Sequence, residues 1–112
     1  MKEILDNALE FLESGEDNIK KKRWNAAVSD FFKSITAFCD YTLYTKIRIL
    51  PKNHNERFDL LKIHFTDIYD KIIELFKKYR DSYNLRLTKE DALKIKGYAY
   101  ELKNYIASWK NL

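Results

Sequence analysis

Arg80 stands in Tyr79-Arg80-Asp81-Ser82-Tyr83-Asn84-Leu85-Arg86, a polar stretch that closes one amphipathic segment and leads to another. A guanidinium donates two parallel hydrogen bonds in a fixed plane, a geometry that suits phosphate oxygens. Asn84, Arg86 and Lys77 add donors and charge nearby, so with Arg80 they form a candidate contact for nucleic acid or a nucleotide. Cleavage would also need a group that moves protons. The candidate catalytic residues are therefore Arg80 with His54 or Tyr83, and Asn84 is a further candidate partner. The competing reading is structural: Arg80 pairs with an acid and caps carbonyls at the end of its helix.

Other chemistries find no footing in the chain. His54 and His64 are ten positions apart, with no HExxH, no Glu-x-x-His and a single cysteine, Cys39, so no metal site is expected. No disulfide framework is available, and Cys39 reads as a small core residue. The serines lie in ordinary helical contexts with no triad signature. No Gly-rich phosphate loop occurs, and no cofactor is expected. The aromatic residues, 15% of the chain, fall mostly on apolar stripes and read as core. Tyr79, Tyr83 and Tyr100 are the ones expected to reach a rim.

The net charge of +4 is unevenly spread. Residues 1–19 carry six acids and one lysine, whereas residues 76–96 carry seven bases and three acids. The second stretch would offer a basic surface to a phosphate-bearing partner, although charges on helices also serve simply to solvate outer faces. No apolar run approaches a membrane span and the charged start is not a signal peptide, so a cytoplasmic location without membrane contact is expected.

Helical spacing governs the rest. The 112 residues include two glycines and one proline, which leaves one domain, 1–112, built of long helices. Segment one runs from about Lys2 to Lys21 on Leu5, Ala8, Leu12 and Ile19, with Gly15 a site for close helix contact. Segment two, about Trp24 to Thr45, carries one stripe on Ala27, Val28, Phe31, Ile35, Phe38 and Thr42. A second stripe holds Phe32, Cys39, Leu43 and Ile47. Such a helix is either central, or it faces a core and a second subunit; Phe32, Cys39 and Leu43 are the candidate dimer interface. Pro51 ends this part, and Asn53 with Glu56 has capping-box spacing. A short segment from His54 to Phe65 follows, with a kink or a break near Phe65. A fourth then carries Ile68, Ile72, Phe76, Tyr79 and Tyr83. Thr88 caps a fifth segment on Ala92, Ile95, Ala99, Leu102, Ile106 and Trp109. The expected fold is all-α: an up-and-down bundle of four long helices and one short one.

This layout resembles the HEPN domain, and more closely the minimal stand-alone HEPN proteins of archaea and bacteria. The resemblance covers nearly the whole chain. It rests on Lys21-Lys22-Arg23-Trp24-Asn25-Ala26-Ala27-Val28 before the long second helix, on aromatic Phe31 and Phe32, and on His54 opening the short helix. Arg80 late in the fourth helix and Thr88-Lys89-Glu90-Asp91-Ala92 opening the last complete it. The resemblance implies a homodimer with two Arg-bearing helix ends beside a shared cleft. It also implies metal-independent ribonuclease chemistry, in which Arg steadies the phosphate and a histidine shortly after it moves protons. Arg80 matches; Leu85, Arg86 and Leu87 stand where that histidine belongs, so the pair is broken. A further implication is a small nucleotidyltransferase partner of toxin–antitoxin type that modifies a tyrosine in this region, for which Tyr83 is nearest.

The leading expectation is an interaction module: a HEPN-like homodimer paired with a nucleotidyltransferase, with a degenerate RNA- or nucleotide-facing cleft at Arg80. One alternative is a metal-independent endoribonuclease toxin using Arg80 with a non-standard partner such as His54. Another is a purely structural helical subunit.

Overall fold

A computed structural model describes residues 1–110, which contain five helices and no strand. They are α1 (Lys2–Lys20), α2 (Trp24–Ile47), α3 (His54–His64), α4 (Thr66–Asp81) and α5 (Lys89–Lys110). The fold is thus all-helical, with a radius of gyration of 13.5 Å.

Helix α2 is the axis of the molecule. Helices α1, α3, α4 and α5 all pack on it, most extensively α1 and α5. Its two stripes explain why: Ala27, Val28, Phe31, Phe32, Ile35, Phe38, Cys39 and Leu43 are all buried within the one chain. This corrects the expected dimer interface. Phe32, Cys39 and Leu43 are at most 1% exposed in the monomer, because other helices of the same chain already cover that stripe. Phe32, Cys39 and Leu43 belong to the core, and Ile47 at the end of the stripe is half-buried.

Two buried hydroxyls on α2 find local acceptors, as groups removed from water must. Ser34 Oγ donates to the Ala8 carbonyl of α1 at 3.0 Å, and Thr42 Oγ1 to the Phe38 carbonyl one turn back at 2.9 Å. Gly15 of α1 is buried where the Phe31 ring of α2 crosses it. A methyl group there would stand 2.6 Å from the ring, so the close helix contact expected of this glycine is made.

The chain punctuation is local chemistry. Lys22 and Arg48 hold left-handed φ values of 57° and 61° after α1 and α2. Asn53 Oδ1 accepts from the Glu56 N–H at 2.9 Å, starting α3. Phe65 (φ −142°, ψ 68°) interrupts the chain between α3 and α4, so the joint is a break and not a kink. Thr88 and Asp91 cap α5 reciprocally: Asp91 N–H donates to Thr88 Oγ1 and Thr88 N–H to Asp91 Oδ2. Among the described residues no helix is long and apolar enough to cross a membrane.

The two glycines should respond to alanine with opposite signs. Gly15→Ala should lower unfolding free energy in urea by about 1–3 kcal/mol, overpacking outweighing alanine's helix preference of about 1 kcal/mol. Gly97, with no atom within 4 Å of an added Cβ, should gain up to about 1 kcal/mol from the same substitution.

Candidate functional site around Arg80

Spacing along α4 puts Phe76 three and four residues before Tyr79 and Arg80 near its C-terminal end, and Tyr83 follows in the turn just beyond it. Their surroundings come from other helices. Phe76 packs against His54 (ring centroids 5.2 Å), Phe58 (5.0 Å, edge-on) and Phe32 (5.7 Å). Tyr79 stacks on Phe32 at 4.6 Å and 15°. The result is an aromatic bed shared by α2, α3 and α4.

Arg80 lies on the outer edge of this bed. Its guanidinium carbon is 5.1 Å from the Phe76 centroid, a cation–π distance, and its side chain is exposed. No carboxylate among the described residues pairs with it, so the structural reading in which Arg80 joins an acid is not what the fold shows. Beside it the Tyr79 and Tyr83 hydroxyls share a hydrogen bond of 2.7 Å, with Tyr83 72% exposed. Burial, then the hydrogen bond and charge of Tyr83, push the Tyr79 phenol up to about 12. Tyr79 therefore remains a neutral hydroxyl at physiological pH and is no base.

His54 reaches the same aromatic bed from α3, so the fold does bring both it and Arg80 against the Phe76 ring. Its chemistry is nevertheless committed elsewhere. Arg57 binds Asp40 of α2 through two bonds, Nε–Oδ1 at 2.6 Å and Nη2–Oδ2 at 2.9 Å, and turns its Nη1 to His54 Nδ1 at 2.8 Å. A guanidinium nitrogen only donates, so Nδ1 must accept and the neutral ring carries its proton on Nε2. Burial first, and then the Arg57 charge, lower the His54 pKa. The one lone pair a base would use is taken. As a partner for Arg80, His54 can donate a hydrogen bond but cannot accept a proton without breaking the Arg57 contact.

The remaining members of the cluster are arranged by a residue from the start of α2. Asn25 Nδ2 donates to the Ser82 carbonyl at 2.9 Å and to the Leu85 carbonyl at 2.6 Å, while Asn25 Oδ1 accepts from the Leu87 N–H at 2.9 Å. Three bonds from one side chain hold the turn after α4. Lys78 adds an ion pair at 3.1 Å to Asp91, joining the end of α4 to the start of α5. Asn84, Arg86 and Lys77 are exposed on this end of the molecule, with no side-chain hydrogen bond or ion pair among the described residues. The fold thus gathers Arg80, Tyr83 and His54 about the Phe76–Tyr79 pair, and leaves Asn84, Arg86 and Lys77 as surrounding donors.

Tyr79 and Arg57 are the functional-site residues that spacing alone undervalued. The His54–Arg57 step of three residues on a helix was a usable signal for their contact. The Asn25 clasp had none, since its partners lie 57 to 62 residues away. Among the described residues no group of three or more His, Cys, Asp or Glu is placed to hold a metal ion. No family model matches the chain, and no curated protein or solved structure matches it either.

Two measurements check this geometry. Asn25→Ala should cost about 1–3 kcal/mol in denaturant unfolding and speed hydrogen exchange at the Leu87 amide, since it orphans groups at the turn. Because the His54 pKa is lowered on folding, its stabilisation is complete above the ordinary value of 6.5 and is lost as pH falls through the folded value. The wild-type Tm should therefore drop between about pH 7 and pH 5 by more than that of His54→Gln, which keeps an acceptor for Arg57 but gains no proton.

Proposed function

We propose that this chain is a HEPN-like module, four long helices and one short one in up-and-down order, that assembles as a homodimer and docks a small nucleotidyltransferase. The Arg80 end is its phosphate-facing surface for RNA or a nucleotide. The observation that carries this reading is Arg80 itself: an exposed guanidinium without an acidic partner among the described residues, held over Phe76 beside the Tyr79–Tyr83 hydroxyls. Binding needs no more than this, since the fork, and the one hydroxyl proton that the Tyr79–Tyr83 bond leaves free, are donors to phosphate oxygens.

Catalysis needs a base as well, and the His54 lone pair faces Arg57. That contact favours a binding role over the ribonuclease reading with Arg80 and His54. Dimerisation, in this proposal, uses a surface other than Phe32, Cys39 and Leu43.

The test is an RNA assay in EDTA with the intact chain and Arg80→Ala, read for both cleavage and binding, with sedimentation to report the oligomer. The expected result is a dimer that leaves RNA uncut and binds it with steep salt dependence, weakened about tenfold or more by Arg80→Ala. Cleavage that disappears in Arg80→Ala would instead make the chain a metal-independent endoribonuclease. A strict monomer with no salt-dependent RNA binding would leave a structural helical subunit.

A further inference from the structure

A cleft lies away from Arg80, between the α3–α4 break and α5. Its volume is about 810 Å³, within the usual range for small-molecule sites. Phe65, Ile68 and Leu102 supply apolar surface, Tyr105 stands at the mouth, and Tyr98, Asp67 and Glu101 bring the polar groups. Thr66 to Arg80 spans about 20 Å of helix, so the two places are at opposite ends of α4.

Tyr98 is the unusual member. It is 8% exposed, and its hydroxyl has no hydrogen-bond partner among the described residues. The little of Tyr98 that remains accessible opens into the cleft, which it lines. The oxygen itself is not sealed from solvent, so a partner for it would have to come through the cleft. Two carboxylates stand near it, Asp67 and Glu101, both exposed and neither in an ion pair among the described residues. Burial first, then the fields of Cys39, Glu101 and Asp67, push the Tyr98 phenol above its ordinary range, and no cation opposes them. His64 and Lys71 also line the cleft, and Lys71 is drawn toward Glu74 Oε2 at 3.8 Å. Asp67 also complements the N-terminal end of the α4 dipole, a role that Glu101, midway along α5, does not have.

We infer that this cleft binds an alkylammonium ligand, the Tyr98 hydroxyl accepting a hydrogen bond from the ammonium group. Asp67 and Glu101 supply the counter-charge, and the Tyr105 ring offers a cation–π face to the same group. Phosphate is the wrong occupant, because both carboxylates would repel it. An ammonium on an alkyl stem could belong to a free polyamine or to a lysine side chain, and the chemistry of the cleft is the same for both.

The experiment is calorimetry with amide NMR on the full chain, titrated with putrescine, spermidine, N-acetyl-lysine methylamide and inorganic phosphate. The expected result is saturable binding of at least one amine, with shifts centred on Tyr98 and Leu102. Asp67→Asn with Glu101→Gln should weaken it at least about tenfold, and Tyr98→Phe about threefold or more, with thermal stability lowered only by the small loss of Asp67 from the start of α4. Glu13→Gln with Asp17→Asn on α1, and Arg80→Ala, should leave it unchanged. Preference for spermidine identifies a polyamine source, and preference for the lysine derivative a peptide source. The inference is overturned by phosphate binding in the cleft, by equal amine affinity in all variants, or by no saturation at roughly 10 mM amine.

Discussion

The rest of the structure depends on covering α2. Its apolar residues run around more than one face, and no single neighbour can remove them all from water. Each buried large side chain there is worth roughly 1.5–3 kcal/mol, so the chain folds back until α1, α3, α4 and α5 have each taken a share. Close approach follows from the same demand, as at Gly15, where α1 gives up a side chain so that Phe31 can lie against its backbone. The positions of His54, Phe76 and Tyr79 are consequences too, since each reaches Phe32 on α2.

Electrostatics then separates residues that packing brought together. His54 and Arg80 share an aromatic ring but not a reaction, because Arg57 is fixed by Asp40 and aims its third contact at the imidazole. A histidine near an arginine is commonly read as a catalytic pair. Here the donor-only character of a guanidinium decides the tautomer, and the tautomer decides what the ring can do. The same reasoning keeps Tyr79 a neutral hydroxyl, half-buried and bonded to Tyr83.

What was legible in the sequence were features with local causes. Helix boundaries followed from Asn53, Thr88 and Pro51, and the core list from three- and four-residue spacing. The two stripes of α2 were also visible, but spacing could not say whether Phe32, Cys39 and Leu43 faced another helix of the same chain or another chain. Both leave the same apolar pattern; only the tertiary fold distinguishes them. Asn25 was read as part of a sequence pattern and not as a clasp, since the carbonyls it serves come from a turn far along the chain. Arg57 went unremarked for the same reason, being defined by Asp40 across a helix interface, and Tyr98 could be read only as flanking the fifth helix's stripe because its cleft forms between distant segments.

The Asn25 clasp has a thermodynamic consequence for any partner met at the Arg80 end. Holding a backbone residue in one conformation costs about 1–2 kcal/mol, and a loose turn of several residues would charge that cost against association. With Ser82, Leu85 and Leu87 tied to the first turn of α2, the cost falls on folding instead. A partner arrives at a surface already in shape, and its affinity reflects contacts made rather than disorder removed.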